Sequence, residues 1–119
     1  MDNKYKGDLQ IIKILYDSKI FVIKVPLIGF FQIKNLFMAV LAASALGIEN
    51  KKIFNKLDKI KPVIGRLELI KTPKNYSKII VDFCHTPDAL EQSLIAIKKQ
   101  FQKDIILLFG CGGDRDKRK

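Results

Sequence analysis

The chain has 119 residues, 48% of them hydrophobic, and carries 22 Lys and Arg against 12 Asp and Glu, a formal net charge of +10. This composition predicts a folded globular protein and excludes a disordered tail, a collagen-like chain and a disulfide-stapled miniprotein. Nineteen of the basic residues are lysines and they accompany 18 isoleucines, which favours a compositional bias spread over solvated faces rather than a nucleic-acid site.

The first half of the chain predicts two strands and two helices. Residues 9–15 and 20–25 are rich in Ile and Val on either side of a polar turn, which is typical of paired strands. Residues 35–46 are apolar nearly all round, which predicts a buried helix capped by Asn35 and followed by Gly47 in a left-handed conformation. A second helix is predicted over 51–60.

A linker at 62–66 and a short strand over 66–71 open the second half. The order then becomes strand over 79–83, helix from Thr86, and strand over 104–109, which runs into a glycine loop at 110–113. This order predicts a βαβ unit in a parallel sheet covered on both faces. Four side chains are expected to form the buried face of that helix: Leu90, Leu94, Ile97 and Phe101.

Several polar residues of the second half are candidates for ligand binding. Asp82 lies at the carboxyl end of an apolar strand and His85 follows it, where open α/β sheets bind ligands. Asp82 could accept ribose hydroxyls or cap a turn, and Arg66 could face a phosphate or lie on the wet face of a strand. Arg115 follows the glycine loop and offers a guanidinium fork to a carboxylate or phosphate. Asn35 could read an adenine edge instead of capping a helix.

No targeting, membrane or metal signal accompanies these residues. The N-terminus does not resemble a signal peptide, and the longest stretch without charge, 35–48, has 14 residues, fewer than the roughly 20 that span a bilayer. Cys84 and Cys111 have no zinc-site spacing with the single histidine, His85. We therefore expect two reduced thiols, no metal ligands, no membrane association and a cytoplasmic protein.

Four segments together resemble the Mur ligases. Residues 81–91 read VDFCHTPDALE, similar to the family's DYAHTPDALE, and residues 109–117 read FGCGGDRDK, similar to FGCGGDRDKGKR. Residues 65–68 read GRLE, similar to GRME, and residues 29–35 are similar to the GxFNxxN segment, with Gln32 in place of its first Asn. The segments occur in the family's order, and the branch that adds the third peptide residue matches best.

The resemblance implies an α/β fold composed of the end of a central P-loop-type ATPase domain, residues 1–64, followed by the start of a Rossmann-like C-terminal domain, residues 65–119. It implies a fragment of an ATP-dependent ligase that adds meso-diaminopimelate to UDP-N-acetylmuramoyl-L-alanyl-D-glutamate in peptidoglycan synthesis. Its expected partners are these two substrates and the missing parts of a split ligase.

The same resemblance implies roles for individual residues. Asn35 would contact adenine, Arg66 the phosphates, Asp82 the ribose, and His85 would lie beside the nucleotide, while Arg115 would bind a carboxylate of diaminopimelate. None of these is a catalytic acid or base. The cofactors would be ATP and Mg²⁺, with the metal ligands outside this chain.

Because GxxxxGK[ST] is absent from the 119 residues, we expect no ligation by the isolated chain. Two other hypotheses remain open from the sequence. One is a basic α/β module that binds an anionic partner such as RNA, and the other is a non-functional remnant.

Overall fold

A computed structural model describes residues 2–16, 18–70 and 77–110. The chain forms two compact units, Met1–Pro62 and Val63–Lys119. Each unit has its own short sheet and at least one helix, so the described residues have an α/β architecture. Among them, no helix has both the length and the apolar character needed to cross a membrane.

The first unit contains a three-stranded antiparallel sheet in the order β1 (Asp2–Lys6), β2 (Leu9–Tyr16) and β3 (Lys19–Val25). The two strands predicted at 9–15 and 20–25 are confirmed. The alternating pattern of β2 and β3 places four Ile and Val side chains on an inner face, where Ile12 and Val25 are fully buried and Ile14 and Ile23 nearly so. β1 was not predicted because its sequence, DNKYK, has no apolar run.

Two helices follow, α1 (Phe30–Ala45) and α2 (Asn50–Leu57). Both confirm predicted helices, but α1 begins before Asn35, so the prediction that Asn35 caps this helix is wrong. Gly29 holds the N-cap position with φ of 85°, a left-handed conformation that glycine adopts without steric penalty. Nothing between Phe30 and Asn35 opposes a helix, so Asn35 lies inside it and is exposed. Gly47 has φ of 84°, as predicted.

One face of α1 packs on the inner face of the sheet. Ile33, Leu36 and Val40 are buried there and join the strand residues and α2 in one hydrophobic core. The opposite face exposes Met38 to 66% and Leu41 to 62%. The prediction that this helix is buried all round is therefore wrong within the described residues, since its apolar surface exceeds what the small sheet can cover.

Gln10 is a polar residue at the bottom of this core, with no exposed surface. Its Nε2 donates to the carbonyl oxygens of Leu27 at 2.6 Å and Gly29 at 3.1 Å, and its Oε1 accepts from Asn3 Nδ2 at 2.8 Å. The first of these bonds satisfies the Leu27 carbonyl, and the Gly29 carbonyl also accepts from the Gln32 amide at 3.3 Å. Gln10 thereby fixes the start of α1.

The second unit contains a two-stranded antiparallel ribbon, β4 (Glu68–Ile70) and β5 (Ile79–Val81), followed by α3 (Pro87–Phe101). The predicted helix start is confirmed, because Thr86 Oγ1 accepts from the Ala89 amide at 3.2 Å and proline occupies the first helical position. Both strands are shorter than the predicted 66–71 and 79–83.

The buried face of α3 is rotated from the predicted one. Its deepest residues are Ser93, Ala96 and Gln100, whereas the four predicted residues are only partly buried: Leu90, Leu94, Ile97 and Phe101. The larger apolar side chains flank these three buried positions.

The strand predicted over 104–109 is not formed, so the predicted βαβ unit is wrong in the described part of the chain. Residues 104–110 have no assigned strand pairing, and Ile106 and Leu108 are 99% and 96% exposed. A strand needs a neighbour to satisfy its backbone groups. The only ladder described in this unit joins β4 to β5 in antiparallel orientation. The apolar composition of residues 104–109 is therefore not sufficient to form a strand there.

Candidate functional site

Two hydrogen bonds donated by backbone amides hold the end of β5 against the turn before β4. The Phe83 amide donates to the Gly65 carbonyl at 2.8 Å, and the Leu67 amide donates to Asp82 Oδ1 at 3.3 Å. These contacts extend the β4–β5 pairing, in which Glu68 lies opposite Val81. Arg66 and Asp82 therefore lie in the same corner of the second unit, although 15 residues separate Asp82 from Leu67.

The turn before β4 presents Arg66 outward. Gly65 has φ of 68°, and its amide donates to Glu68 Oε2 at 2.8 Å. The Arg66 amide donates to the Val63 carbonyl at 3.1 Å. Leu67 then buries its side chain to 2% exposure, with φ of 45°. The residue after Arg66 points inward, whereas Arg66 itself is exposed at the surface of this corner.

Asp82 is the centre of the corner. Its Oδ1 accepts from the Leu67 amide and, at 3.0 Å, from the Phe83 amide, while its Oδ2 accepts from Ser93 Oγ at 2.6 Å. A side chain that binds nearby amides competes with a strand ladder, which explains why β5 ends at Val81. The carboxylate therefore joins the turn, the strand end and α3.

A cavity of about 240 Å³ opens beside this carboxylate. Its lining includes Asp82, Ser93 and Leu67, together with Leu107 and Gly110 from the segment after α3. Apolar side chains form most of the wall, and the carboxylate is its charged group. A concave wall that combines apolar side chains with the fixed carboxylate and the hydroxyls of Ser93 and Thr86 is suited to a ligand that carries a hydroxyl or amino donor.

His85 lies on the loop between β5 and α3 and is exposed. Its Nδ1 is 3.4 Å from the Phe83 carbonyl oxygen, and its ring meets the Phe83 ring edge-on at 6.4 Å between centroids. In this geometry the imidazole offers a flat, exposed surface for a planar or anionic ligand group.

The structure brings together three of the five predicted site residues, Arg66, Asp82 and His85, in the second unit. Asn35 belongs to the first unit, where it is exposed in the interior of α1. Arg115 lies outside the described residues, as does the glycine loop after Gly110. Within the part of the chain that the structure describes, no group of three or more His, Cys, Asp or Glu side chains could hold a metal ion.

Sequence analysis missed Ser93. It is 5% exposed and supplies the shortest hydrogen bond to Asp82. The available signal was a hydroxyl residue on the apolar stripe of α3, between Leu90 and Ile97. A polar side chain at such a position needs a buried partner, and Asp82, 11 residues earlier in the chain, supplies it.

With this geometry established, comparison with protein families defines the class. Residues 65–119 match the family model described as "Mur ligase, glutamate ligase domain". The stretch contains the corner formed by Arg66 and Asp82 and the cavity beside it. Residues 65–119 match the Mur ligase family, and the resemblance to it seen in the motifs is confirmed.

Two individual proteins similar to this chain share one name, apart from a number. The chain is 41% identical over 118 residues to UDP-N-acetylmuramoyl-L-alanyl-D-glutamate–2,6-diaminopimelate ligase 2 of Clostridium acetobutylicum, covering 99% of this chain and 24% of the relative. It is 40% identical over 110 residues to the like-named ligase of Agrobacterium fabrum, covering 92% and 22%.

A solved structure titled as this same ligase also matches, with a TM-score of 0.67 and 31% identity, covering 97% of this chain and 23% of that one. The chain thus spans about a quarter of the length of the relatives it matches.

Proposed function

We propose that the chain is part of an ATP-dependent acid–amino-acid ligase, to which it contributes nucleotide-binding residues. This ligase adds meso-diaminopimelate to UDP-N-acetylmuramoyl-L-alanyl-D-glutamate in peptidoglycan synthesis. The observation that supports this most is the fixed Asp82 carboxylate at the end of β5, inside the stretch that matches the ligase domain. Residues 1–64 would be the end of the central ATP-binding domain and residues 65–119 the beginning of the next.

The reaction requires an activated carboxylate, because a free carboxylate does not react with amines. The D-glutamate carboxylate attacks the γ-phosphorus of ATP, and the bond from that phosphorus to the bridging oxygen breaks with release of ADP. The diaminopimelate amine then attacks the acyl phosphate, loses a proton and displaces phosphate, which forms the amide. Catalysis of such transfers rests on positioning and on stabilising charge.

Within this reaction the residues of the chain bind and orient. We assign Asp82 to the ribose, Arg66 to the phosphates and His85 to the side of the nucleotide. Asn35 is assigned to adenine and Arg115 to a carboxylate of diaminopimelate. Magnesium supplies charge neutralisation for the phosphates, and its ligands are assigned to other parts of the ligase. We place the reaction in the cytoplasm, where ATP and the UDP-sugar are found.

Exposed apolar side chains support association with further protein. Ile106 and Leu108 are almost fully exposed, and Leu15 and Ile20 on the outer face of the first sheet are 70% and 72% exposed. Extended apolar surface of this kind marks an interaction site. We propose that the remaining parts of the ligase cover it, and that residues 104–109 pair as a strand in that assembly.

Nucleotide binding by the 119-residue chain tests the proposal. We expect ATP to shift the amide resonances of Asp82 and His85 in a titration followed by nuclear magnetic resonance, with an affinity that Asp82→Ala abolishes. If unrelated RNA shifts the spectrum with a steep dependence on salt and ATP does not, the basic binding module is favoured instead.

A second measurement concerns ligation. With ATP, sugar dipeptide and diaminopimelate supplied, the chain alone is expected to release no phosphate above the uncatalysed background, because it has no P-loop lysine. Phosphate release that depends on all three substrates would contradict this part of the proposal.

A further inference from the structure

The hydrogen bond between Ser93 and Asp82 is the starting point for an inference about how the carboxylate is used. Ser93 Oγ donates to Asp82 Oδ2 at 2.6 Å, a short distance typical of a hydroxyl bound to an ionised acceptor. Ser93 is 5% exposed and lies on α3, a helix held at its start by the Thr86 cap. The serine hydroxyl is therefore fixed by a rigid element.

The acceptor capacity of Asp82 limits what a ligand can do. A carboxylate has about four lone-pair sites, two on each oxygen. The Leu67 and Phe83 amides use both sites on Oδ1, and Ser93 uses one on Oδ2. One acceptor site remains, on Oδ2, the oxygen whose position Ser93 fixes. The cavity lined by Asp82 and Ser93 is next to it.

We propose that Ser93 is a positioning residue, which holds Asp82 Oδ2 so that its remaining acceptor site receives one ribose hydroxyl of the nucleotide. This inference rests on the proposed function, since it requires a nucleotide at this corner. It goes further in naming the side chain that determines whether the site distinguishes a ribose from a sugar without hydroxyls.

A purely structural role for Ser93 has different consequences. If the serine only anchored α3, its removal would loosen the corner and weaken every nucleotide by the same factor. If it positions Oδ2, its removal leaves Asp82 attached through Oδ1 to Leu67 and Phe83, and only the contact with the hydroxyl weakens. The torsion of a carboxylate about its last bond is broad, so Oδ2 is then free to turn away.

The experiment compares ATP with 2′,3′-dideoxy-ATP on the full chain and its Ser93→Ala and Ser93→Thr variants, by resonance titration. The unsubstituted chain is expected to bind ATP about ten- to a hundredfold more tightly than the dideoxy analogue, the size of one hydrogen bond to a charged acceptor. Ser93→Ala should bring the ATP affinity down to that of the analogue and leave the analogue's affinity unchanged. Ser93→Thr keeps a hydroxyl and should restore the preference.

The outcomes distinguish the proposed nucleotide-binding function from positioning by Ser93. If the unsubstituted chain binds neither nucleotide, the proposed function fails. If it prefers ATP and Ser93→Ala shows the same preference, or weakens both nucleotides equally, positioning by Ser93 is overturned while the proposed function stands. Should Ser93→Ala fail to fold, Ser93→Cys fills the site with a weak donor, and an unchanged ATP preference in that variant overturns the inference as well.

Discussion

The side-chain nitrogen of Gln10 donates to the main-chain carbonyl of Leu27 at 2.6 Å, across the fully buried floor of the first unit. This bond connects the middle strand of the sheet to the segment that leads into α1. A core of Ile and Val side chains is tolerant of small shifts, whereas a buried amide has only a few satisfying positions. Gln10 therefore specifies how the helix enters the core.

Replacing Gln10 tests this connection. Gln10→Leu keeps the approximate volume but leaves the Leu27 carbonyl without its donor and Asn3 Nδ2 without its acceptor. We expect the free energy of unfolding of the first unit to fall by about 2–4 kcal/mol, since each unsatisfied buried group costs about 1–3 kcal/mol. Urea denaturation followed by circular dichroism measures the loss. Lys13→Ala, on the exposed outer face of the same strand, is the control and should stay within about 0.5 kcal/mol.

Asp82 combines a structural role with the proposed ligand contact, and two substitutions separate them. Asp82→Asn retains one oxygen for the Leu67 and Phe83 amides, so the fold should persist, while the acceptor offered to the ribose is lost. Asp82→Ala removes all three hydrogen bonds and is expected to destabilise the second unit by about 2–3 kcal/mol. Thermal unfolding measures the stability of both variants, and ATP titration measures their nucleotide binding. An Asp82→Asn variant that binds ATP normally would contradict the ribose assignment.

Asp82 should also distinguish the two ribose hydroxyls. Because its three bonds leave one acceptor site on Oδ2, we expect a single hydroxyl to matter. Of 2′-deoxy-ATP and 3′-deoxy-ATP, one should bind about ten- to a hundredfold more weakly than ATP and the other equally well. The measurement is the same resonance titration, and equal losses for both analogues would show that the carboxylate takes both hydroxyls.

The turn that presents Arg66 depends on Gly65. With φ of 68°, this position disfavours any residue that carries a Cβ, so Gly65→Ala should destabilise the second unit by about 1–2 kcal/mol. No atom lies within 4 Å of the added methyl group, so the effect isolates the backbone conformation. Gly110→Ala provides the matched control, because its surroundings are equally open and its φ is not left-handed. Chemical denaturation measures the free energy of unfolding of both variants, and the loss should be confined to Gly65→Ala.

Tyr5, at the edge of the first sheet, makes stability depend on alkaline pH. Burial raises the pKa of its phenol above the ordinary value of 10.0. Because the folded pKa is above the unfolded one, the stabilisation is complete below pH 10 and is lost as pH rises through the folded pKa. We expect the melting temperature to drop more steeply above pH 10 than in Tyr5→Phe, which has no proton to lose. Identical curves for the two proteins would refute a role for Tyr5.

Local patterns predicted the elements whose signals are complete within a few residues. The alternation of β2 and β3 and the Thr86-Pro87 start of α3 are of this kind, because strand faces and helix caps are decided by neighbours in sequence. The helix limits were less accurate. Asn35 resembles a cap, yet Gly29 determines the start of α1, since backbone conformation outweighs a side-chain preference there.

Features that depend on distant partners were not predictable. β1 exists because its Asn3 and Tyr5 lie opposite Ile12 and Gln10 on β2, and nothing in DNKYK alone indicates a strand. Residues 104–109 have the composition of a strand, but pairing needs a neighbour that the described residues do not provide. Of the site, Asp82 and Arg66 were found by their motifs, while Ser93 became visible only through its bond to Asp82.

The segment after α3 has a consequence for handling the protein. Leu107 and Leu108 both line the cavity, while Ile106 and Leu108 are almost fully exposed. A segment without an assigned strand pairing and with exposed apolar side chains is a template for addition of another strand. Purified at high concentration without a covering partner, the chain would therefore self-associate through this edge, and a lysine in place of Ile106 would act as a gatekeeper that keeps it monomeric.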